Sequence, residues 1–167
     1  MKTKNLILSA MFLGLALVLP FVTGQIPQIG AMLLPMHIPV LLCGFFCGAP
    51  WGLAVGFMAP LFRSALFGMP PLFPTALCMA FELATYGLVA GFLYKLLPKN
   101  RPSVYAALIV AMIMGRLIWG MAMFMCMGGD FGLPAFMAGA VTGAVPGIIL
   151  QLVLIPILVI ALEKVKK

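Results

Sequence analysis

The chain is built from long apolar stretches in which charged side chains are almost absent. Of its 167 residues, 65% are hydrophobic and 8% are charged, whereas soluble domains carry about 25% charged residues. A helix of about 20 apolar residues crosses the ~30 Å hydrocarbon core of a bilayer. The composition therefore excludes a water-soluble globule and predicts an all-α, polytopic membrane protein that is surrounded by lipid.

Turn-forming residues divide these stretches into candidate helices. Clusters of glycine and proline interrupt helices, and they occur here at Gly24–Pro27, Gly48–Pro50, Gly68–Pro71, Pro98–Pro102 and Gly128–Asp130. We therefore predict a single domain over residues 1–167 with six transmembrane helices, at about 5–23, 33–48, 51–67, 72–95, 103–126 and 142–162. The segment 130–141 is compatible with either a surface helix or a long loop.

The basic residues predict the orientation in the membrane. Ten Lys and Arg outnumber three Asp and Glu, for a formal net charge of +7. Most of them precede the first helix, lie between the fourth and fifth, or follow the last: Lys2, Lys4, Lys95, Lys99, Arg101, Lys164, Lys166 and Lys167. With six spans these groups share one side, which the positive-inside rule makes cytoplasmic. Both termini are thus predicted to be cytoplasmic in a prokaryotic plasma membrane, and this pattern does not indicate a nucleic-acid partner.

Ionisable side chains inside the predicted spans are few. A charged side chain at the centre of a membrane helix raises the free energy of insertion by about 2.5–3.5 kcal/mol, so its presence indicates a function. The charged ones are Arg63, Glu82 and Arg116, and the accompanying polar or aromatic ones are His37, Tyr86, Trp119 and Gln151. From the ~1.5 Å helical rise, the charged residues, His37 and Gln151 lie about 17–22 Å from the inner surface. We therefore predict a substrate site that opens to the exterior, with the lining residues His37, Arg63, Glu82, Tyr86, Arg116 and Trp119.

The charges of these buried polar residues suggest a ligand, although purely structural roles for them remain open. Two arginines against one glutamate leave a spare positive charge, for which an anionic group such as a carboxylate is the expected partner. Alternatively, Glu82 forms a structural ion pair with Arg116 or Arg63. His37, between two prolines, would then order a loop, and the aromatic residues would pack or anchor the helices.

Small residues recur every four positions, a pattern that allows close helix packing in lipid. Gly44, Gly48, Gly52 and Gly56 form one such row, and Gly87 with Gly91 forms another. Most of these are expected to be internal contacts. Ala10 and Gly14 lie on helix one, away from the polar layer, and could dock another membrane helix or pack within their own bundle.

No motif for an enzyme, a metal or a cofactor is present. The sequence lacks GxxxxGK[ST] and also GxSxG and HExxH, so active transport would draw its energy from a partner or an ion gradient. The single histidine has no neighbouring set of metal ligands. The cysteines form neither a CxxC pair nor a zinc spacing and are expected to act as small hydrophobes: Cys43, Cys47, Cys78 and Cys126.

Three segments resemble the substrate-binding S components of energy-coupling factor (ECF) vitamin transporters. They are Met36–Gly44 (MHIPVLLCG), Pro60–Ser64 (PLFRS) and Ala80–Gly87 (AFELATYG). They are similar to the branch that contains pantothenate- and hydroxymethylpyrimidine-type components. The resemblance covers nearly the whole chain. In the helix-one motif, this chain has Gly14 at a position where alanine is common in the family.

The resemblance implies a function and a set of partners. It implies an external site for a vitamin-like molecule, such as pantothenate, hydroxymethylpyrimidine or a related compound. It also implies a transmembrane coupling subunit that is driven by two ATP-binding cassette subunits. Ala10 and Gly14 would contact the coupling subunit, and the vitamin site would contain His37, Arg63, Glu82, Tyr86 and Arg116.

Neither the ligand nor the class of transporter is decided by these residues. Pantothenate suits the spare arginine, and a pyrimidine or a pyridoxine-like ring suits the aromatic side chains equally well. Two other functions remain open: a proton-coupled carrier in which Glu82 titrates, and a small intramembrane enzyme that uses Glu82 and His37 for proton transfer.

Overall fold

The computed structural model describes residues 2–22, 32–128 and 131–165, with side chains for 3–22, 32–128 and 131–161. Within these ranges the chain forms helices joined by turns, without a β-strand. The helices are α1 (Lys2–Val22), α2 (His37–Cys47), α3 (Ala49–Phe67), α4 (Leu77–Leu96), α5 (Arg101–Met127), α6 (Leu133–Ala140) and α7 (Val145–Val165). A π-helical turn (Leu72–Ala76) leads into α4, and a 3-10 turn (Thr142–Ala144) leads into α7. The predicted all-α class is confirmed for the described residues.

Several helices end at the glycine and proline clusters that predicted their boundaries. Gly48, with φ of 93°, separates α2 from α3. Gly68 ends α3 in the left-handed conformation, with φ of 70°, and donates its N–H to the Ser64 carbonyl, as is common at helix C-termini. Asn100 caps α5, where its Oδ1 accepts from the Ser103 N–H at 3.0 Å.

The structure moves the start of the second, fourth and last predicted helices, the fourth to Leu77 after the π-helical turn, and it decides one open segment. The second helix begins at His37 instead of residue 33, because Leu34 takes a positive φ of 51° and its carbonyl accepts from the His37 N–H at 3.1 Å in a turn. The last helix begins at Val145, after the 3-10 turn. The segment 130–141 contains the helix α6. The predicted break at Gly24–Pro27 and residues 129–130 lie outside the described residues.

Four of the described helical segments are long and apolar enough to cross a membrane: Thr3–Val22, Leu72–Leu96, Arg101–Met127 and Leu133–Ala161. Helix α2 is apolar but has 11 residues, which is about 16 Å of helix. Helix α3 has 19 residues and carries Arg63 within it. Six spans with cytoplasmic termini therefore stay a prediction.

Helix α4 lies at the centre of the fold and packs closely against α2, α3 and α5. A Cβ atom added at Gly44 or Gly52 would lie 2.6 or 2.5 Å from the carbonyl oxygen of Gly87. One at Gly91 would lie 2.5 Å from the backbone nitrogen of Ala49. Because helices in lipid associate by close packing, these glycines allow the central contact. The predicted internal role is confirmed for them.

Two apolar clusters surround α4. One joins α2, α4, α5 and α7 and includes Leu41, Tyr86, Leu108 and Ile155. The other joins α1, α2, α3 and α4 around Val40, Ala59 and Leu83. The cysteines are free thiols, of which three are buried and Cys126 is half-buried. The polar residues of α4 thus lie between two apolar layers.

Candidate substrate site

Glu82 is the centre of a buried polar cluster to which three helices contribute. Only 1% of its surface is exposed on α4. Its Oε1 lies 3.0 Å from Nη1 of Arg116 on α5 and 3.4 Å from Nε2 of His37 at the start of α2. We call these three residues and Tyr86 the Glu82 cluster. A buried carboxylate needs a compensating charge, and Arg116 supplies it.

His37 enters the cluster because α2 begins there. Pro39 falls in the first turn of α2, where a missing N–H costs no helical hydrogen bond. The His37 side chain does not cap the helix but faces Glu82. Both of its ring nitrogens lack a hydrogen-bond partner of good geometry, and so does Oε1 of Glu82. Glu82 and His37 are thus close enough for a charge interaction, but their geometry leaves donor and acceptor positions of both side chains free for other hydrogen bonds.

Tyr86 lies one helical turn after Glu82 and shares its face of α4. The residue is fully buried, and its ring centroid is 5.2 Å from that of His37. Its hydroxyl oxygen interacts with the Glu82 carboxylate but makes no hydrogen bond of good geometry to the described residues. The ring packs against α5 at Gly115, where an added Cβ would clash with the Tyr86 ring. Gly115 is a positioning residue that the sequence analysis missed, because nothing local distinguishes it from other glycines.

Arg63 lies apart from the Glu82 cluster, at the contact between α3 and α1. It is buried, and its Nη1 donates to the Leu17 carbonyl oxygen at 2.5 Å. Its guanidinium carbon lies 5.0 Å from the ring centroid of Phe21 and 5.4 Å from that of Phe67, within cation–π range. The structure therefore does not bring the two arginines together around Glu82, because α3 directs Arg63 towards α1.

Trp119 packs beneath α6. Its ring centroid lies 5.6 Å from that of Phe131 and 6.4 Å from that of Phe136. A Cβ at Gly139 would lie 2.6 Å from the Trp119 ring. The described ring contacts of Trp119 thus hold α6 against α5, one turn beyond Arg116, and do not include His37 or Tyr86.

The cluster contains one basic and one acidic side chain, together with several polar atoms that make no hydrogen bond of good geometry to the described residues. These atoms are His37 Nδ1 and Nε2, Glu82 Oε1, Tyr86 Oη and Arg116 Nε. Because buried polar atoms are nearly always hydrogen-bonded in proteins, this arrangement is suited to binding a polar molecule. In the described part of the chain, no group of three His, Cys, Asp or Glu residues could hold a metal ion.

The fold and the cluster define a multi-pass membrane protein with a buried polar site. The model of the family "ECF transporter, substrate-specific component" matches residues 4–163, and the chain belongs to this family. No match was found among curated proteins or among solved structures.

The family assigns the chain a class of function. Its members bind the small substrate of a transporter and associate with a transmembrane subunit and ATPases. The chain is therefore a substrate-binding transporter subunit. The family does not favour the two alternatives from the sequence, the proton-coupled carrier and the intramembrane enzyme.

Proposed function

We propose that this subunit captures a vitamin or a vitamin precursor outside the cell and delivers it through a complex with a coupling subunit and two ATP-binding cassette subunits. The observation that carries this proposal is the Glu82 cluster. Five of its buried polar atoms make no hydrogen bond of good geometry to the described residues, and a buried polar group left unsatisfied costs about 1–3 kcal/mol. A bound molecule that supplies the missing partners would remove this cost, so the cluster favours substrate binding.

The charges of the cluster support a site that is neutral as a whole. Glu82 and Arg116 compensate each other across 3.0 Å, and an ion pair of this kind can remain buried in a membrane helix bundle. The aromatic ring of Tyr86 and the imidazole of His37 provide flat surfaces beside the pair. Apolar walls with a few oriented polar groups are typical of sites for small molecules.

The exposed face of α1 supports a docking site for the coupling subunit. Ala10 and Gly14 are both exposed, and a Cβ at Gly14 would meet no atom within 4 Å. Small residues on an open helix face allow another helix to approach closely. We assign this face to the coupling subunit, in the orientation that places both termini in the cytoplasm of a prokaryotic cell.

Reconstitution in vesicles tests this proposal. The purified chain should bind radiolabelled hydroxymethylpyrimidine or pantothenate by itself, but the vesicles should accumulate it only with the coupling and ATPase subunits and ATP. Glu82→Gln should abolish binding, whereas Thr85→Val should not, because the Thr85 hydroxyl bonds only within its own helix, to Phe81. Accumulation by the isolated chain under a pH gradient would contradict the proposal and favour the carrier.

A further inference from the structure

Two thiols from different helices are in contact at one end of the fold. Cys78 on α4 and Cys126 on α5 are 48 positions apart in the sequence, and the Sγ atom of Cys78 donates a hydrogen bond to that of Cys126 at 3.8 Å. Thiols are weak donors and weak acceptors, so this hydrogen bond adds little stability by itself. The substrate site described above uses neither side chain.

The two cysteines lie at the same end of an antiparallel helix pair. Cys78 is the second residue of α4, and Cys126 is the second-to-last residue of α5. At the opposite end, where the basic residues Lys95 and Arg101 lie, a short connection joins the two helices. We call the other end, at Cys78 and Cys126, the cysteine end. A covalent bond there would join the ends of α4 and α5 that the connection leaves apart.

The cysteine end lies next to the Glu82 cluster. Cys78 precedes Glu82 by four residues, which places both on one face of α4, about 6 Å apart along the axis. Glu82 in turn pairs with Arg116 of α5 at 3.0 Å. Because α4 and α5 together supply three of the four residues of the cluster, a bond between the helices would restrict their movement relative to each other.

An oxidant can reach the pair through Cys126. Cys78 has no exposed surface, whereas Cys126 is half-buried and its neighbour Met125 is 84% exposed. Helix α5 has 27 residues, about 40 Å of helix, which exceeds the ~30 Å hydrocarbon core. Its last turn therefore lies near the membrane surface opposite the basic residues. In the predicted orientation this surface is the exterior, where disulfides form and persist.

We propose that Cys78 and Cys126 are a redox modification site, in which a reversible disulfide joins α4 to α5 beside the Glu82 cluster. The proposal depends on the contact between the two thiols and not on the identity of the substrate. The oxidant belongs to the class of low-molecular-weight disulfides, of which oxidised glutathione is an example.

The reaction is a thiol–disulfide exchange in two steps. The more exposed Cys126 loses its proton and attacks the oxidant, which forms a mixed disulfide and releases one thiol. Cys78 then loses its proton and attacks the sulfur of Cys126, which forms the internal S–S bond and releases the second thiol. The two cysteines thus give up two electrons and two protons, and the oxidant is reduced to two thiols.

Mass spectrometry of the full chain tests the modification. The reduced protein in detergent is incubated with oxidised glutathione, denatured in N-ethylmaleimide and digested. We expect a peptide pair that is joined between Cys78 and Cys126. Cys43 and Cys47 serve as internal controls and should be alkylated, because they are buried in the apolar cluster that contains α1.

Single variants distinguish the two steps. In Cys78→Ser, Cys126 should keep glutathione as a mixed disulfide, because no second thiol is in contact to displace it. In Cys126→Ser, Cys78 should stay reduced, because it is buried. Three results would overturn the proposal: absence of the linked peptide from the folded protein, linkage only after denaturation, and a link from Cys126 to any other cysteine in its place.

Thermal unfolding tests whether the bond holds the helices together. The oxidised wild-type chain should unfold about 5–10 °C above the reduced chain, because a cross-link across a long loop restricts the unfolded state. The double variant Cys78→Ala/Cys126→Ala is the control, and oxidised glutathione should not change its unfolding temperature. An equal or lower temperature for the linked wild-type chain would refute the role of the disulfide. These measurements need no substrate, so the proposed function is judged separately, by uptake.

Discussion

Oε1 of Glu82 on α4 lies 3.0 Å from Nη1 of Arg116 on α5, and both side chains are largely buried. This pair joins the central helix to its neighbour at the level of His37 and Tyr86. Removing one partner of a buried pair leaves an uncompensated charge and typically costs about 3–5 kcal/mol. The pair is therefore expected to matter for both stability and binding.

Removal of the pair in two steps should separate these effects. Arg116→Met should lower the unfolding temperature, because the Glu82 carboxylate loses its compensating charge. Adding Glu82→Gln should recover most of that loss, since the buried charge is removed. Substrate binding should remain weak in the double variant. Thermal unfolding in detergent, together with calorimetry, measures both quantities, and a double variant as unstable as Arg116→Met would argue against a coupled pair.

Arg63→Gln provides the contrast to Arg116. The Arg63 guanidinium bonds to Leu17 and lies over the rings of Phe21 and Phe67, so we expect a loss of stability of about 1–3 kcal/mol. The affinity for the substrate should change by less than about threefold, because Arg63 does not contact the Glu82 cluster. Affinity measured on folded protein checks this, and a loss as large as that of Arg116→Met would return Arg63 to the substrate site.

Gly115→Ala should disturb the site without changing any polar group. The new methyl group would overlap the ring of Tyr86, and overpacking of this kind costs about 1–3 kcal/mol. Displacement of the ring should also weaken binding. Gly14→Ala is the matched control: its Cβ meets no atom within 4 Å, so this change should keep or raise the unfolding temperature. Equal stabilities of the two variants would show that Tyr86 does not depend on Gly115.

Ala10→Trp should separate substrate binding from assembly. The large side chain would cover the open face of α1, so the coupling subunit should no longer copurify, while binding by the isolated chain stays unchanged. Ala106→Trp is the control, because Ala106 is equally small and exposed but lies on α5. A pull-down with a tagged coupling subunit distinguishes the two, and normal recovery with Ala10→Trp would place the docking face elsewhere.

The site itself was partly predictable. Glu82, Arg116, His37 and Tyr86 stood out because polar residues are rare in apolar spans, and the structure brings these four together. Gly115 could not be identified from the sequence, because its role is to leave space for the Tyr86 ring of the neighbouring helix α4. Gln151 was visible as a polar residue at the right depth, but depth alone does not say which way a side chain points.

Sequence alone determined that this chain forms apolar helices, where most of them begin and end, and which few polar residues lie inside them. Those properties depend on local composition, on glycine and proline, and on the cost of charge in lipid. The tertiary structure decided which polar residues meet. Arg63 and Arg116 have similar predicted depths, yet each residue turns the helix by about 100°. Only the packing of α3 against α1, and of α5 against α4, directed one arginine to a backbone carbonyl and the other to Glu82.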